Sequence, residues 1–286
     1  MKKILFALTC ASVFYANAQE LPTENVDNSS EKKLYTSSNK GKFFIFWGGN
    51  RGYYTNSDIQ FKGNGYNFTL HDVEAVDKPK GWHIDYINPT RITIPQTNAR
   101  IGYYINDKYS ISFGVDHMKY VMVQDQVVKM SGQINGLGTS HDGVYDNTDK
   151  TLTEDFLTFE HTDGLNYVLV EGSRTDDISK LFGIRNTDIF QVNLTEGIGA
   201  GILYPKTNTK LLNQDRYDEF HIAGYGVSAK AGLHLTFLKH FLIIGELKGG
   251  YINMYDIRTT KHSSDTASQD FFFFQTILAI GAIFRL

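Results

Sequence analysis

Apolar and polar residues alternate with a period of two along eight stretches of this chain, the pattern of strands with one apolar and one polar face. The stretches cover about 43–55, 92–105, 109–123, 156–172, 188–204, 219–237, 241–255 and 271–286. In the third, Tyr109, Ile111, Phe113 and Val115 share one face, and Ser110, Ser112, Gly114 and Asp116 share the other. In the sixth, Tyr225, Val227, Ala229, Ala231, Leu233, Leu235 and Phe237 oppose Gly226, Ser228, Lys230, Gly232 and His234. In the seventh, Phe241, Ile243, Leu247 and Tyr251 oppose Glu246, Lys248 and Gly250, with Leu242 and Ile244 as exceptions on the polar face. Glu196 falls on the apolar face of the fifth, which predicts a bulge or a register shift there.

The connections are unequal. The second, fourth and sixth are short or moderate (106–108, about 173–187, 238–240), and Asn106-Asp107-Lys108 has hairpin chemistry. The first, third, fifth and seventh are long and polar, about 56–91, 124–155, 205–218 and 256–270. Short turns on one side and long loops on the other predict an all-β protein, a closed antiparallel up-and-down transmembrane β-barrel of eight strands with long extracellular loops. An even strand count leaves both termini on the periplasmic side. The apolar face, with Tyr and Phe near its ends, would meet lipid, and the polar face would line the lumen. Gly63-Asn64-Gly65 predicts a hairpin turn that carries strands of the first outer loop above the membrane.

The first residues speak to compartment. Lys2 and Lys3 precede a mainly apolar stretch over 4–15, and Ala16-Asn17-Ala18 offers small residues for cleavage before Gln19. The stretch is too short to span a bilayer as a helix, so 1–18 is read as a signal peptide. Cys10, the single cysteine, lies inside it, which leaves the mature chain without a disulfide or a thiolate metal ligand. Residues 19–42 are polar and charged and predict a disordered periplasmic leader; 43–286 is the barrel domain. A net charge of −3 and pI near 6.3 do not fit a nucleic-acid partner. There is no uncharged apolar run of about 18 residues, which excludes a helical membrane protein.

At the end of the chain Ile280, Ala282, Phe284 and Leu286 alternate with Gly281, Ile283 and Arg285. Here the sequence resembles Gram-negative outer-membrane β-barrels, whose last strand closes the sheet and ends on an apolar or aromatic residue. Leu286 stands where those proteins usually carry Phe, with Phe284 two residues before it. The resemblance covers roughly 43–286, and the Tyr- and Asn-rich strands behind a Lys-Lys signal look like barrels of Bacteroidetes-type bacteria. It implies an outer-membrane location, contact with outer-membrane lipid and lipopolysaccharide, insertion by the barrel-assembly machinery, and a monomer.

The inward charges are Arg100, Asp116, Lys230, Glu246 and Lys248, with His234 nearby. An eight-stranded barrel has room for little beyond its own side chains, so these charges must pair. They form either a salt-bridge plug or the lining of a narrow gated pore. Small barrels also include lipid A-modifying enzymes, for which the candidates are Asp116-His117 and Glu219 with His221. Neighbours on a strand point to opposite faces, so Asp116 cannot orient His117 without a bulge, and no motif names a nucleophile. Asp142, Asp146, Asn147 and Asp149 lack the spacing of a calcium loop and are read as a solvated acidic loop; no metal and no cofactor is expected. Gly197, Gly199 and Gly201 make room for bulky lumen neighbours. In the first long loop Trp82, His83, Tyr86 and Pro89 form the natural contact surface. The leading expectation is a structural or surface-binding outer-membrane barrel with a plugged, charged lumen and ligand-presenting loops. The alternatives are an outer-leaflet lipid A acyl hydrolase or acyltransferase using His117 or His221, and a narrow small-solute pore.

Overall fold

The computed structural model describes residues 33–79, 81, 95–214, 217 and 219–286. The expected signal peptide 1–18 with Cys10, residues 19–32 of the expected leader, and loop residues Trp82, His83, Tyr86 and Pro89 lie outside the described residues. Among those described, antiparallel strands dominate. The first eight are β1 (Phe43–Tyr54), β2 (Ser57–Gly63), β3 (Tyr66–Val73), β4 (Ala75–Val76), β5 (Thr97–Tyr104), β6 (Tyr109–Met118), β7 (Val121–Met122) and β8 (Val127–Ile134). The rest are β9 (Gly143–Thr151), β10 (Leu157–Glu160), β11 (Leu165–Asp177), β12 (Phe190–Leu203), β13 (Asn208–Leu211), β14 (Gly224–Phe237), β15 (Phe241–Arg258) and β16 (Thr266–Phe284).

The eight alternating stretches become β1, β5, β6, β11, β12, β14, β15 and β16, each hydrogen-bonded to the next. β16 then pairs back with β1, from Phe43↔Phe284 to Tyr54↔Phe273, so the pairings form a complete circuit. Several ends differ from the sequence reading. β5 begins at Thr97, β6 stops at Met118 and β14 begins at Gly224. β11 begins at Leu165, because the alternation at 157–160 belongs to β10 in a different sheet. β12 pairs on both sides without a register shift, so the bulge expected at Glu196 does not form. Glu196 faces outward opposite Arg174, whose charge offsets its own.

Among the described residues, the long connections carry further strands. β1 breaks at Thr55-Asn56 and resumes as β2, which pairs with the first residues of β16; β3, β8 and β9 then extend the same sheet. Asn64-Gly65 forms the predicted turn between β2 and β3. A second small sheet runs in the order β13-β10-β7-β4. Alternation in these hairpins buries Ile59, Phe61, Phe68, Leu70, Val128 and Met130 and leaves Asp58, Lys62, Asn67 and Lys129 outside. Their core is continuous with inward residues of the circuit, Tyr167, Leu169, Ile252, Met254, Phe271 and Phe273. Strands β2, β3, β8 and β9 and the small sheet together form a cap, and at about 1.5–3 kcal/mol for each large apolar side chain buried, this cluster is its main attachment to the circuit.

At the opposite, short-turn end, residues 34–42 are ordered, contrary to the disorder their polar composition predicts. The segment is held by hydrogen bonds rather than by apolar burial. Asp107 Oδ1 accepts from the Asn39 and Lys40 N–H groups at 2.9 and 3.0 Å and from the Ser38 hydroxyl at 2.7 Å. Asp188 Oδ1 accepts from the Thr36 N–H at 3.0 Å and its hydroxyl at 2.9 Å. Arg285 Nη2 donates to the Ser38 and Lys40 carbonyls, both at 3.2 Å. The segment thus straps two turns and the last strand together.

Candidate functional site

The inward face of the circuit carries a charge network at mid-height. Arg100 on β5 donates from Nε to Glu171 Oε2 at 2.5 Å and from Nη2 to Asp116 Oδ1 at 2.7 Å. Its Nη1 reaches the Ala99 and Val115 carbonyls at 2.8 and 3.2 Å. Lys248 on β15 donates to Asp116 Oδ2 and Glu171 Oε1, both at 2.7 Å. Lys230 on β14 donates to Glu246 Oε1 at 3.0 Å, and His234 Nε2 lies 2.9 Å from the same oxygen. Asn98 adds a hydrogen bond to Asp116. The alternation of each strand aims these groups at one another, and inward glycines leave the space: a Cβ on Gly199 would sit 2.9 Å from Glu171 Cγ.

Arg100, Lys230 and Lys248 balance Asp116, Glu171 and Glu246, so the buried set needs no outside counter-ion. Asp116 is 0 % exposed and Arg100 3 %. Desolvating such groups costs several kcal/mol each, which only mutual pairing with good geometry returns. The structure brings together all six lumen residues named from the sequence and adds Glu171, the carboxylate that bonds all three cations.

Apolar layers lie on both sides of the network. Toward the short turns are Phe44, Phe46, Tyr104, Leu242, Ile244, Ala279 and Ile283. Leu242 and Ile244, the exceptions to the alternation of β15, belong to this layer. Toward the cap lie Tyr167, Leu169, Phe271 and Phe273.

The histidines proposed for catalysis are not assembled for it. Asp116 points to Lys248 and Arg100, while His117 Nδ1 meets the Asn166 amide oxygen at 2.8 Å. His221 Nε2 meets Asp256 Oδ2 at 2.9 Å, in place of the expected Glu219, which is exposed. Among the described residues no hydroxyl bonds to either ring. In the acidic loop, Asp142 caps the N–H groups of Leu137 and Gly138 at 3.0 Å, and Asp149 pairs with Lys129 at 2.7 Å. No group of three metal-ligating side chains occurs among the described residues.

One histidine in the cap makes it acid-sensitive. His161 is fully buried, with Nδ1 2.9 Å from Thr207 Oγ1 and its ring 5.0 Å from that of Phe159. Burial alone pushes its pKa down to about 3. The unfolded imidazole takes up a proton below about 6.5 and the folded one does not until about 3, so stability is lost as pH falls through that window. By pH 5 the loss is about 2 kcal/mol. Limited proteolysis of the cap is expected to accelerate from pH 7.5 to pH 5 in the parent protein and much less in His161→Gln; equal acceleration in both would remove His161 as the cause.

The outward face of the circuit is apolar. It carries Ile101 (56 % exposed), Phe113 (53 %), Ile198 (73 %), Leu247 (54 %) and Leu278 (57 %). Aromatic pairs mark its two ends: Phe43–Tyr103 and Phe190–Phe237 toward the short turns, each with centroids 4.9 Å apart, and Tyr251–Phe272 at 5.2 Å toward the cap.

No family model and no curated protein matches the sequence. Among solved structures, the chain is similar to Ail, the attachment invasion locus protein of Yersinia pestis, solved with the heparin analogue sucrose octasulfate. That alignment has 10 % identity and a TM-score of 0.32, covering 86 % of this chain and 99 % of Ail. The outer membrane protein OprG from Pseudomonas aeruginosa aligns at 11 % identity and a TM-score of 0.37, covering 89 % of this chain and all of OprG. The N-terminal β-barrel domain of Pseudomonas aeruginosa OprF aligns at 8 % identity and a TM-score of 0.31, covering 86 % of this chain and 98 % of that domain.

Proposed function

We propose that this chain is an outer-membrane β-barrel of a Gram-negative bacterium with a structural or surface-binding role, exported through the signal peptide 1–18. In this reading the eight-strand circuit is a closed up-and-down barrel that spans the membrane, the charge network plugs it, and the cap stands outside the cell. The observation that carries it is an inversion of faces. Ion pairs sit inside and a largely apolar surface sits outside, an arrangement that water would penalise and lipid rewards. The spacing of the aromatic ends fits. The ten residue steps from Phe43 to Tyr53 span about 33 Å of strand, or about 25 Å at a tilt near 40°, the height of an outer-membrane apolar band. Outer-membrane lipid and lipopolysaccharide are then the partners of the belt, and the cap is the ligand-presenting surface. The paired inward charges and the apolar layers beside them support binding and structure over conduction. The environments of His117 and His221 do not favour lipid A chemistry.

The test is folding into detergent and lipid vesicles, read by gel mobility before and after boiling, with mass analysis of added lipid A. A heat-dependent mobility shift is expected, with lipid A unchanged by the parent protein, His117→Ala and His221→Ala alike. A water-soluble protein that shows no shift and ignores detergent would overturn the barrel. Acyl loss or gain that disappears in either variant would overturn the assignment of role.

A further inference from the structure

On the water-facing side of the cap sheet, three adjacent strands bring Asp58, His71 and Ser131 into line. Asp58 Oδ2 lies 2.9 Å from His71 Nδ1, and Ser131 Oγ lies 3.2 Å from His71 Nε2. A carboxylate on one ring nitrogen and a hydroxyl on the other is the order a hydrolytic triad requires: the carboxylate fixes the tautomer, and the free nitrogen can take the hydroxyl proton. Ser131 is opposite Thr69 in the β3–β8 ladder, which makes it a diagonal neighbour of His71 on the same face.

Two unusual backbone positions serve the same atoms. Asp72, at φ 58°, turns its N–H to Asp58 Oδ1 at 2.9 Å. Asn147, at φ 50°, sits at the register shift between β8 and β9 and turns its N–H toward Ser131 Oγ at 3.3 Å. Asp and Asn enter the left-handed region more readily than other side chains, so both turns form at little cost. Gly132, directly after Ser131, has φ 122°, where a Cβ would collide with the Asn67 carbonyl. The bulge that exposes Ser131 therefore depends on that glycine.

We propose that Ser131, His71 and Asp58 form an esterase site on the cap, with Ser131 as nucleophile, His71 as general base and acid, and Asp58 as the positioning residue. Ser131 Oγ attacks the ester carbonyl carbon while its proton passes to His71 Nε2. The Asn147 N–H donates to Ser131 Oγ and orients the hydroxyl, while the negative charge of the tetrahedral intermediate falls on the substrate carbonyl oxygen. The carbon–oxygen bond to the alcohol then breaks, and His71 returns the proton to the leaving alkoxide. Water, deprotonated by His71, attacks the acyl-serine, frees the carboxylic acid and restores the hydroxyl. Gln60, Asn67, Lys129 and Gln133 share this face of the ladder, and the exposed apolar side chains on it, Val127 and Val144, are short. A long acyl chain has nowhere to bury, so the substrate class is a short-chain carboxylic ester on a water-soluble carrier.

The test uses the full mature protein folded in detergent, p-nitrophenyl acetate and p-nitrophenyl palmitate as substrates, and a fluorophosphonate probe mapped by mass spectrometry. The probe bonds to Ser131 Oγ with loss of fluoride. Expected are labelling of Ser131, acetate hydrolysis at least ten-fold above palmitate hydrolysis, and at least ten-fold loss in Ser131→Ala and His71→Gln. Asp58→Asn should lose several-fold. Hydrolysis unchanged in Ser131→Ala overturns the proposal, as does labelling spread evenly over exposed serines. A bracing role for the three residues would show as altered cap stability without loss of hydrolysis, which also overturns it. None of these readouts depends on whether the circuit lies in a membrane.

Discussion

Lys248→Met is expected to destabilise the folded protein by about 3–5 kcal/mol, because it leaves three buried carboxylates facing only two cations, one negative charge uncompensated in the interior. Lys248 Nζ lies 2.7 Å from both Asp116 and Glu171, and neither the side chain nor its partners has access to solvent beyond 1 %. Methionine is unbranched, keeps most of the length and removes the charge, so the measured loss reports mainly electrostatics rather than a cavity. The double variant Lys248→Met/Glu171→Gln restores the balance of charges and should recover part of the loss, giving a favourable coupling in a double-mutant cycle. Urea unfolding in lipid vesicles, followed by tryptophan fluorescence, measures both. A single variant within about 1 kcal/mol of the parent would mean that water reaches the network. The apolar layers formed by Phe44, Phe46 and Ile244 on one side and Phe271 and Phe273 on the other would then leak.

The circuit was legible in the sequence because one face of nearly every strand is apolar and the other is not. β6 and β14 alternate cleanly, and the facing of Asp116, Lys230 and His234 follows from that alone. β11 shows why Glu171 was not found. Tyr167 and Leu169 point inward and Val168 and Val170 outward, so both faces are apolar next to Glu171 and the alternation carries no direction. Leu242 and Ile244 posed the opposite difficulty: they break the pattern of β15 because the interior itself changes from charged to apolar along its height. Composition misled at 34–42, since hydrogen bonds to Asp107 and Asp188 order a polar segment without burying apolar surface. The cap strands were hidden for a related reason. Their hairpins alternate, but their outward faces are as polar as loops. Asp58, His71 and Ser131 come from three strands whose register follows from a bulge at Asn147 and a break at Thr55-Asn56, neither of which has a sequence signal stronger than a turn.

Phe113→Arg decides what solvent meets the outward face. Phe113 lies midway along β6, between Ile101 on β5 and Val170 on β11, all three about half exposed. Val144, on the outward edge of the cap, is 84 % exposed and serves as the control. If both side chains met water, arginine at either position would change stability by no more than about 0.5 kcal/mol, since exposed surface substitutions rarely do more. In a bilayer the two differ. Arginine near the midplane of an outer-membrane barrel costs about 2–4 kcal/mol, because the guanidinium must be drawn toward the headgroups or carry water inward. Phe113→Arg is therefore expected to lower the unfolding free energy in vesicles by that amount, while Val144→Arg stays near the parent. Equal, small effects at the two sites would place water against Phe113, and an exposed belt of Ile101, Ile198, Leu247 and Leu278 would then need a protein partner in place of lipid.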